Sequence, residues 1–214
     1  MGIKDKYYIE SVTVHDYIGW VLKKHYAHRK PCVSHAYGLY RDKQLQGVCT
    51  FGMPANYVEM EAWQPYPLLE LNRLCVHSGL PSNALSYFVS QSIKSLPSPV
   101  VLISYADIDW GHCGYIYQAT NWYYTGIGAI QRSEKYLLKD GSLHHRRHNE
   151  TIPKDMIESV VIPSGKHRYY YFHGNKREKK KMRSMLRYSI LPYPKGINQR
   201  YKADFKPLTQ DLLF

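Results

Sequence analysis

Val100 to Gly126 reads VVLISYADIDWGHCGYIYQATNWYYTG, and the fold turns on that stretch. Val100 to Ala106 is a continuous apolar run of strand length, the pattern of a central strand covered on both faces. It delivers Ser104, Tyr105 and Asp107 to its C-terminal end, the edge where open α/β sheets bind ligands. A glycine-bracketed turn follows, Gly111-His112-Cys113-Gly114. Gly111 to Thr120 reads as a short helix with Tyr115, Ile116 and Ala119 on one face, and Trp122 to Gly126 leads into another strand.

Upstream, Ser82 to Leu96 carries Leu85, Phe88, Val89, Ile93 and Leu96 at helical spacing. Ser82 or Asn83 can cap this helix, and Pro97 and Pro99 end it. Leu68 to Val76 (LLELNRLCV) reads as a strand, although strict alternation puts Glu70 and Asn72 on the side of Leu74 and Val76. A bulge inside it resolves the conflict. Ala36 to Tyr40 and Leu45 to Phe51 form a hairpin pattern, Val14 to Tyr26 a helix, and Ala55 to Pro67 a loop. Downstream come a short strand at Tyr136 to Leu138, a turn at Asp140-Gly141, a late strand at Lys166 to Phe172 and a helix at Lys176 to Tyr188. The order predicts an α/β fold with one mixed central sheet and helices on both faces. Residues 1–165 are expected to form the catalytic core, and residues 166–214 a basic strand and helix extension packed on it.

The 214 residues suit one main domain, and 44% apolar content supports a packed core. No apolar run reaches the roughly 20 residues of a membrane helix, and Met1 to Glu10 has no apolar signal core. Cys32, Cys49, Cys75 and Cys113 are widely spaced without a C-x-x-C pair, which argues against a disulfide framework or a zinc ribbon. Reduced thiols and the absence of a signal point to a cytoplasmic protein. A net charge of +12 points to a polyanionic partner, and the 21 tyrosines suit stacking on exposed bases.

Four clusters could carry chemistry. Asp107 and His112 can accept a proton and Tyr105 can donate one, with Ser104 beside them; Tyr117, Gln118 and Asn121 follow on the short helix. Asp107 equally suits a helix N-cap, and His112 a structural hydrogen bond. Glu70, Asn72 and Arg73 are polar residues inside an apolar strand. They form either a structural Glu70–Arg73 pair or a cleft in which Arg73 meets phosphate. Lys24 to Pro31 brings His25, Tyr26 and His28, and a metal held by His25, Tyr26 and Asp107 stays open. The fourth cluster is basic. Arg146 and Arg147 make one patch, and Lys166 to Arg187 holds nine Lys or Arg against one acid, Glu178. Lys166, Arg168, Lys176, Arg177, Lys179 and Lys180 are its candidates for contact with DNA.

The blocks LELNRLCV, SYAD and GHCGYIYQATNWYYTG, with HYAHRKP upstream and YPKG near the end, resemble the Mom family of phage proteins over roughly residues 20–195. The resemblance implies a GNAT-like acyltransferase fold whose sheet splays open between its fourth and fifth strands, here Leu68 to Val76 and Val100 to Ala106. It implies conversion of adenine in duplex DNA to N6-carbamoylmethyladenine, which shields phage DNA from restriction. The adenine would be flipped out, with Trp110, Trp122 or Tyr123 stacking on it and Asp107 as the base. Tyr26, His25, Glu70, Asn72, Arg73, Gln118 and Asn121 would line the substrate site, and Ser82, Asn83 and Tyr117 the cofactor site. GNAT enzymes hold the coenzyme A pyrophosphate on a Gln/Arg-x-x-Gly-x-Gly/Ala loop. The corresponding His77 to Ala84 has one glycine, and Pro81 removes an amide donor, so an aminoacyl-tRNA stands beside acetyl-CoA as a possible donor. Two other readings remain: a non-catalytic DNA-binding protein on this scaffold, and an acetyltransferase of another amine.

Overall fold

The computed structural model describes residues 2–128, 134–145, 152–162 and 165–196. Its elements are α1 (Ile3–Lys6), β1 (Tyr8–Ser11), α2 (Val14–Lys23), β2 (His35–Arg41), β3 (Gln44–Gly52), α3 (Tyr57–Glu61), β4 (Leu68–Val76), α4 (Ala84–Lys94), β5 (Val100–Asp107), α5 (Tyr115–Ala119), β6 (Tyr123–Ile127), β7 (Lys135–Leu138), β8 (Leu143–His145), β9 (Ile157–Val161), β10 (Lys166–His173) and α6 (Lys176–Met185). Seven strands form one mixed sheet in the order β1-β2-β3-β4-β5-β10-β6, and β8-β7-β9 form a small second sheet.

The apolar run at Val100 forms the central strand, as its composition dictates. Leu102 and Ala106 face a core built with Phe88, Val89 and Ile93 of α4 and with Phe51 and Leu71. Val101 and Ile103 face the opposite core, with Tyr170, Phe172 and Met182 of α6. Full burial of one such aliphatic side chain contributes about 1.5–3 kcal/mol. The lysines of α6 point outward because its one buried residue is Met182.

β4 and β5 pair in parallel over three residue pairs, Leu68 with Val101 through Glu70 with Ile103. Further along, β4 pairs with β3, and β5 with β10. The bulge expected in β4 is present: Thr50 pairs with Arg73 and Phe51 with Leu71, which leaves Asn72 over.

Three features depart from the sequence reading. α1, β1, β9 and the short α3 inside the expected loop carry too little periodicity to be seen in so few residues. The helix from Val14 stops at Lys23, so Tyr26 lies in the turn beyond it, and the helix from Lys176 stops at Met185. β10, expected to open an appended extension after residue 165, is an interior strand of the main sheet between β5 and β6. After α6 the chain crosses the β6 edge: Leu191 N–H donates to Tyr124 O at 2.9 Å and Tyr193 Oη to Trp122 O at 2.8 Å. The crossing satisfies an edge that would otherwise recruit another strand.

Candidate functional site

Strand alternation sets the site. Val101, Ile103, Tyr105 and Asp107 alternate onto one face of β5, and the antiparallel register places Lys166 opposite Asp107 and Arg168 opposite Tyr105. α6 covers the part of this face at Val101, Ile103, Tyr170 and Phe172. Past the end of α6 the same face carries Tyr105, Asp107, Lys166 and Arg168.

Asp107 is 8% exposed. Its carboxylate pairs with Lys166 Nζ at 3.0 Å and accepts the Asp109 N–H at 3.2 Å, capping the 3-10 turn at Ile108–Trp110. It is therefore both a cap and one half of an ion pair whose other half lies at the surface. Around it, the turn after α2 meets the turn after β5. The Tyr26 ring stacks on His25 at 4.4 Å, tilts against Trp110 at 5.1 Å and meets the edge of His112 at 5.5 Å.

Burial controls the protonation of this cluster. Desolvation lowers the His25 pKa to about 3, assisted by the positive field of Arg73, and lowers that of His112 against the pull of Asp107. It raises the Tyr26 and Tyr105 phenols. Burial also holds the Glu70 carboxyl above the usual range, against Lys166 and Arg73. Both imidazoles are thus neutral near neutral pH, and the acceptor nitrogen of His25 is already taken, its Nδ1 accepting the Ala27 N–H at 3.1 Å.

The loop carrying His25 and Tyr26 is fixed by the two polar residues after Glu70. Asn72 Nδ2 donates to Cys32 O at 2.7 Å and its Oδ1 accepts from Thr50 Oγ1 at 2.6 Å. Gly52 permits the close approach: a Cβ there would lie 1.9 Å from Cys32 O. Arg73 donates to Asn72 O at 2.6 Å and to Arg29 O at 3.0 Å, while its buried Nε lacks a partner. The expected Glu70–Arg73 pair is not what holds it. Among the described residues it makes no ion pair with Glu70, and both of its terminal nitrogens hold main-chain carbonyls.

Other expected site residues lie elsewhere. Ser104 alternates to the far face, where its buried Oγ donates to Leu71 O and contacts Tyr117 Oη, each at 2.7 Å. Tyr117 is buried there too, away from solvent. Trp122 is fully buried in the core under α4, so it cannot stack on a base. Gln118 Nε2 holds Cys113 O at 3.1 Å and Pro194 O at 3.2 Å, tying the C-terminal crossing to α5. Asn121 is exposed in the left-handed region, φ 62°, beside Tyr123 and Lys179. Lys176, Arg177, Lys179 and Lys180 are exposed on α6, whereas Arg146 and Arg147 lie outside the described residues. Sequence reasoning missed the Lys166–Asp107 pairing, which depends on the register of two strands far apart in the chain.

Two expected groups can be set against these residues. Among the described residues no three His, Cys, Asp or Glu come together to hold a metal ion. In the β4–α4 loop, Ser82 and Asn83 are exposed and Asn83 makes no side-chain cap. Pro81 has no amide, and the Ala84 amide is committed to Pro81 O at 2.9 Å. Two positions of this loop, Pro81 and Ala84, therefore offer no free amide to a pyrophosphate.

The model of the Mom protein family matches residues 6–195 of the chain. The protein belongs to the Mom family. Over 193 residues it is 30% identical to the methylcarbamoylase mom of Escherichia phage Mu, covering 80% of this chain and 77% of that one. Among solved structures, this Mom-family chain is similar to a Bacillus subtilis acetyltransferase in complex with CoA, with TM-score 0.40, 12% identity, and 78% and 99% of the two chains covered. An N-acetyltransferase from Staphylococcus aureus Mu50 gives TM-score 0.44 at 10% identity, covering 78% and 98%. These likenesses concern the general arrangement of strands and helices. No helix among the described residues is long and apolar enough to cross a membrane.

Proposed function

We propose that this Mom-family protein is a transferase that converts adenine in phage DNA to N6-carbamoylmethyladenine and so protects it from host restriction. The observation that carries the reading is the placement of Tyr105, Asp107, Lys166 and Arg168 on one face of the sheet, with the His25–Tyr26–Trp110–His112 cluster beside Asp107 at the end of β5. That face continues into the cationic helix α6, whose outward side matches a phosphate backbone. The methylcarbamoylase from phage Mu supports the identity of the group transferred.

The target amine lies in the major groove, paired to thymine, and reaching it requires flipping the base at a cost of a few kcal/mol. Tyr26 and Trp110 supply aromatic faces for the flipped ring. The N6 lone pair is delocalised, so attack needs a base to take the N6 proton as the new N–C bond forms. Asp107 takes that proton, and the leaving group departs from the donor carbon with the bonding electron pair. Lys166 releases Asp107 when it turns to a DNA phosphate, so DNA binding uncovers the base. Tyr105, held protonated by burial, donates a hydrogen bond to donor or product.

Mass spectrometry of nucleosides from cells expressing the protein tests the reading. Wild type should yield modified adenine, and Asp107→Asn none, with DNA binding retained. Unmodified DNA from wild type would favour the non-catalytic DNA-binding reading.

A further inference from the structure

Arg168 is held by contacts that the mechanism above does not use. Its Nε donates to Thr125 Oγ1 and its Nη2 to Thr125 O, both at 3.0 Å. The register between β6 and β10 slips here, with His167 against Ile127 and Tyr169 against Tyr124. Thr125 and Gly126 together therefore oppose Arg168, in a bulge that needs Gly126 at φ +87°. The bulge turns both oxygens of Thr125 onto one guanidinium edge.

The flat side of the guanidinium is held separately. Arg168 Cζ lies 3.4 Å from the centroid of the Tyr188 ring, in cation–π contact. Tyr188 is itself anchored, its Oη donating to Glu59 Oε2 at 3.1 Å. The buried Glu59 also accepts from Trp63 Nε1 at 3.3 Å and from the Tyr170 hydroxyl. An exposed arginine normally samples many rotamers. Here the fork is fixed before any ligand arrives, which lowers the entropy lost on binding.

The charge is not neutralised. Among the described residues no carboxylate pairs with Arg168, and its Nη1 makes no hydrogen bond. The side chain is partly exposed on the face that carries Asp107. A planar, oriented, unpaired fork suits an oxyanion better than a point charge does.

We infer that Arg168 is a preorganised seat for one phosphate group and that Tyr188 is its positioning residue. The inference rests on reading this face as the nucleic-acid surface. The phosphate belongs either to the backbone of the reacting nucleotide or to the group donor, and the chemistry of the seat is the same for both.

Two binding arms on the full chain separate the sources. Anisotropy with a fluorescein-labelled DNA duplex, between about 50 and 200 mM salt, gives affinity and the number of phosphates neutralised. Calorimetry with inorganic pyrophosphate at fixed ionic strength stands for a phosphorylated donor. Arg168→Gln is expected to weaken duplex binding and lower the log–log salt slope by about 0.9, one phosphate. Pyrophosphate binding lost with the duplex arm unchanged would instead assign the seat to the donor. Tyr188→Leu should reproduce most of the loss and Tyr188→Phe little of it, since the ring rather than the hydroxyl holds the guanidinium. Should Arg168→Gln lower the melting temperature, Arg168→Lys replaces it: that variant keeps the slope and still loses affinity. Both arms unchanged in Arg168→Gln and Arg168→Lys overturn the seat, and wild-type affinity in Tyr188→Leu overturns the positioning role. Neither arm requires base modification, so a wild type that alters no adenine leaves this result standing on its own.

Discussion

Lys166 Nζ lies 3.0 Å from the Asp107 carboxylate, and the two residues face each other directly across the β5–β10 ladder. One ion pair thus joins the residue proposed to grip DNA to the residue proposed to take a proton. The lysine side chain is 51% exposed and the aspartate 11%, so the pair is open on one side and its worth to stability is small, below about 1 kcal/mol. Lys166→Gln is therefore expected to melt within a few degrees of wild type while modified adenine falls strongly. A melting temperature far below wild type would mean that the pair is chiefly structural.

Glu70 is a half-buried carboxyl with no hydrogen-bond partner among the described residues, at the point where the β4–β5 ladder ends. Desolvation raises its pKa against the pull of Lys166 and Arg73, so folding disfavours its ionised form. Glu70→Gln removes that charge while keeping the shape. It should stabilise the fold by about 1 kcal/mol, or roughly 2–4 °C, and reduce modification. Thermal denaturation read beside nucleoside analysis checks both halves. Lowered stability would show that an unseen partner holds the carboxylate.

His25 gives the protein a pH dependence with a definite sign. Its pKa is about 3 in the folded chain, against an ordinary value of 6.5. Between those values the unfolded chain binds a proton that the folded chain does not. The contribution is fully present above about pH 6.5 and is lost as the pH falls toward 3, with a slope up to about 1.4 kcal/mol per unit. Urea titrations from neutrality down to about pH 4 should show a shallower decline in His25→Gln than in wild type.

The tryptophans and Ser104 divide by burial. Trp122→Ala should cost about 3–5 kcal/mol, since a fully buried ring leaves a cavity. Trp110→Ala, in the partly exposed aromatic cluster, should keep the fold and lose modification. Ser104→Ala, which loses the hydrogen bond to Leu71 O, should cost about 1–2 kcal/mol yet leave modified adenine detectable. Circular dichroism melts together with nucleoside analysis separate the three cases. Loss of modification in a well-folded Ser104→Ala protein would return that hydroxyl to the chemistry.

The exposed lysines of α6 should act on affinity rather than on chemistry. Replacing Lys179 and Lys180 together by Gln is expected to lower the salt slope of duplex binding by up to about 1.8, two phosphates. Turnover at saturating DNA should stay near wild type. An unchanged slope would take this helix off the DNA-binding surface.

Much of the fold was legible because it is local. A run of apolar residues with no polar break makes Val100 to Ala106 a buried strand, and the stripe at Phe88, Val89 and Ile93 makes a helix that covers it. Even the bulge at Asn72 showed as a conflict between alternation and burial. Strict alternation also separates Ser104 from Tyr105 and Asp107, but a strand apolar on both faces conceals which face is the open one.

By itself, the sequence determined the longer helices and strands, the central strand among them, the cationic character of the last helix and the aromatic segments around the site, since each follows from neighbours within a few residues. Only the tertiary structure decided that β10 enters between β5 and β6, that Lys166 therefore meets Asp107, and that Arg73 holds the loop at Arg29. It likewise decided that Trp122 belongs to the core. The physical reason is range: strand register and the choice of a hydrogen-bond partner fifty residues away depend on the packing of the whole sheet, which no local pattern of residue types encodes.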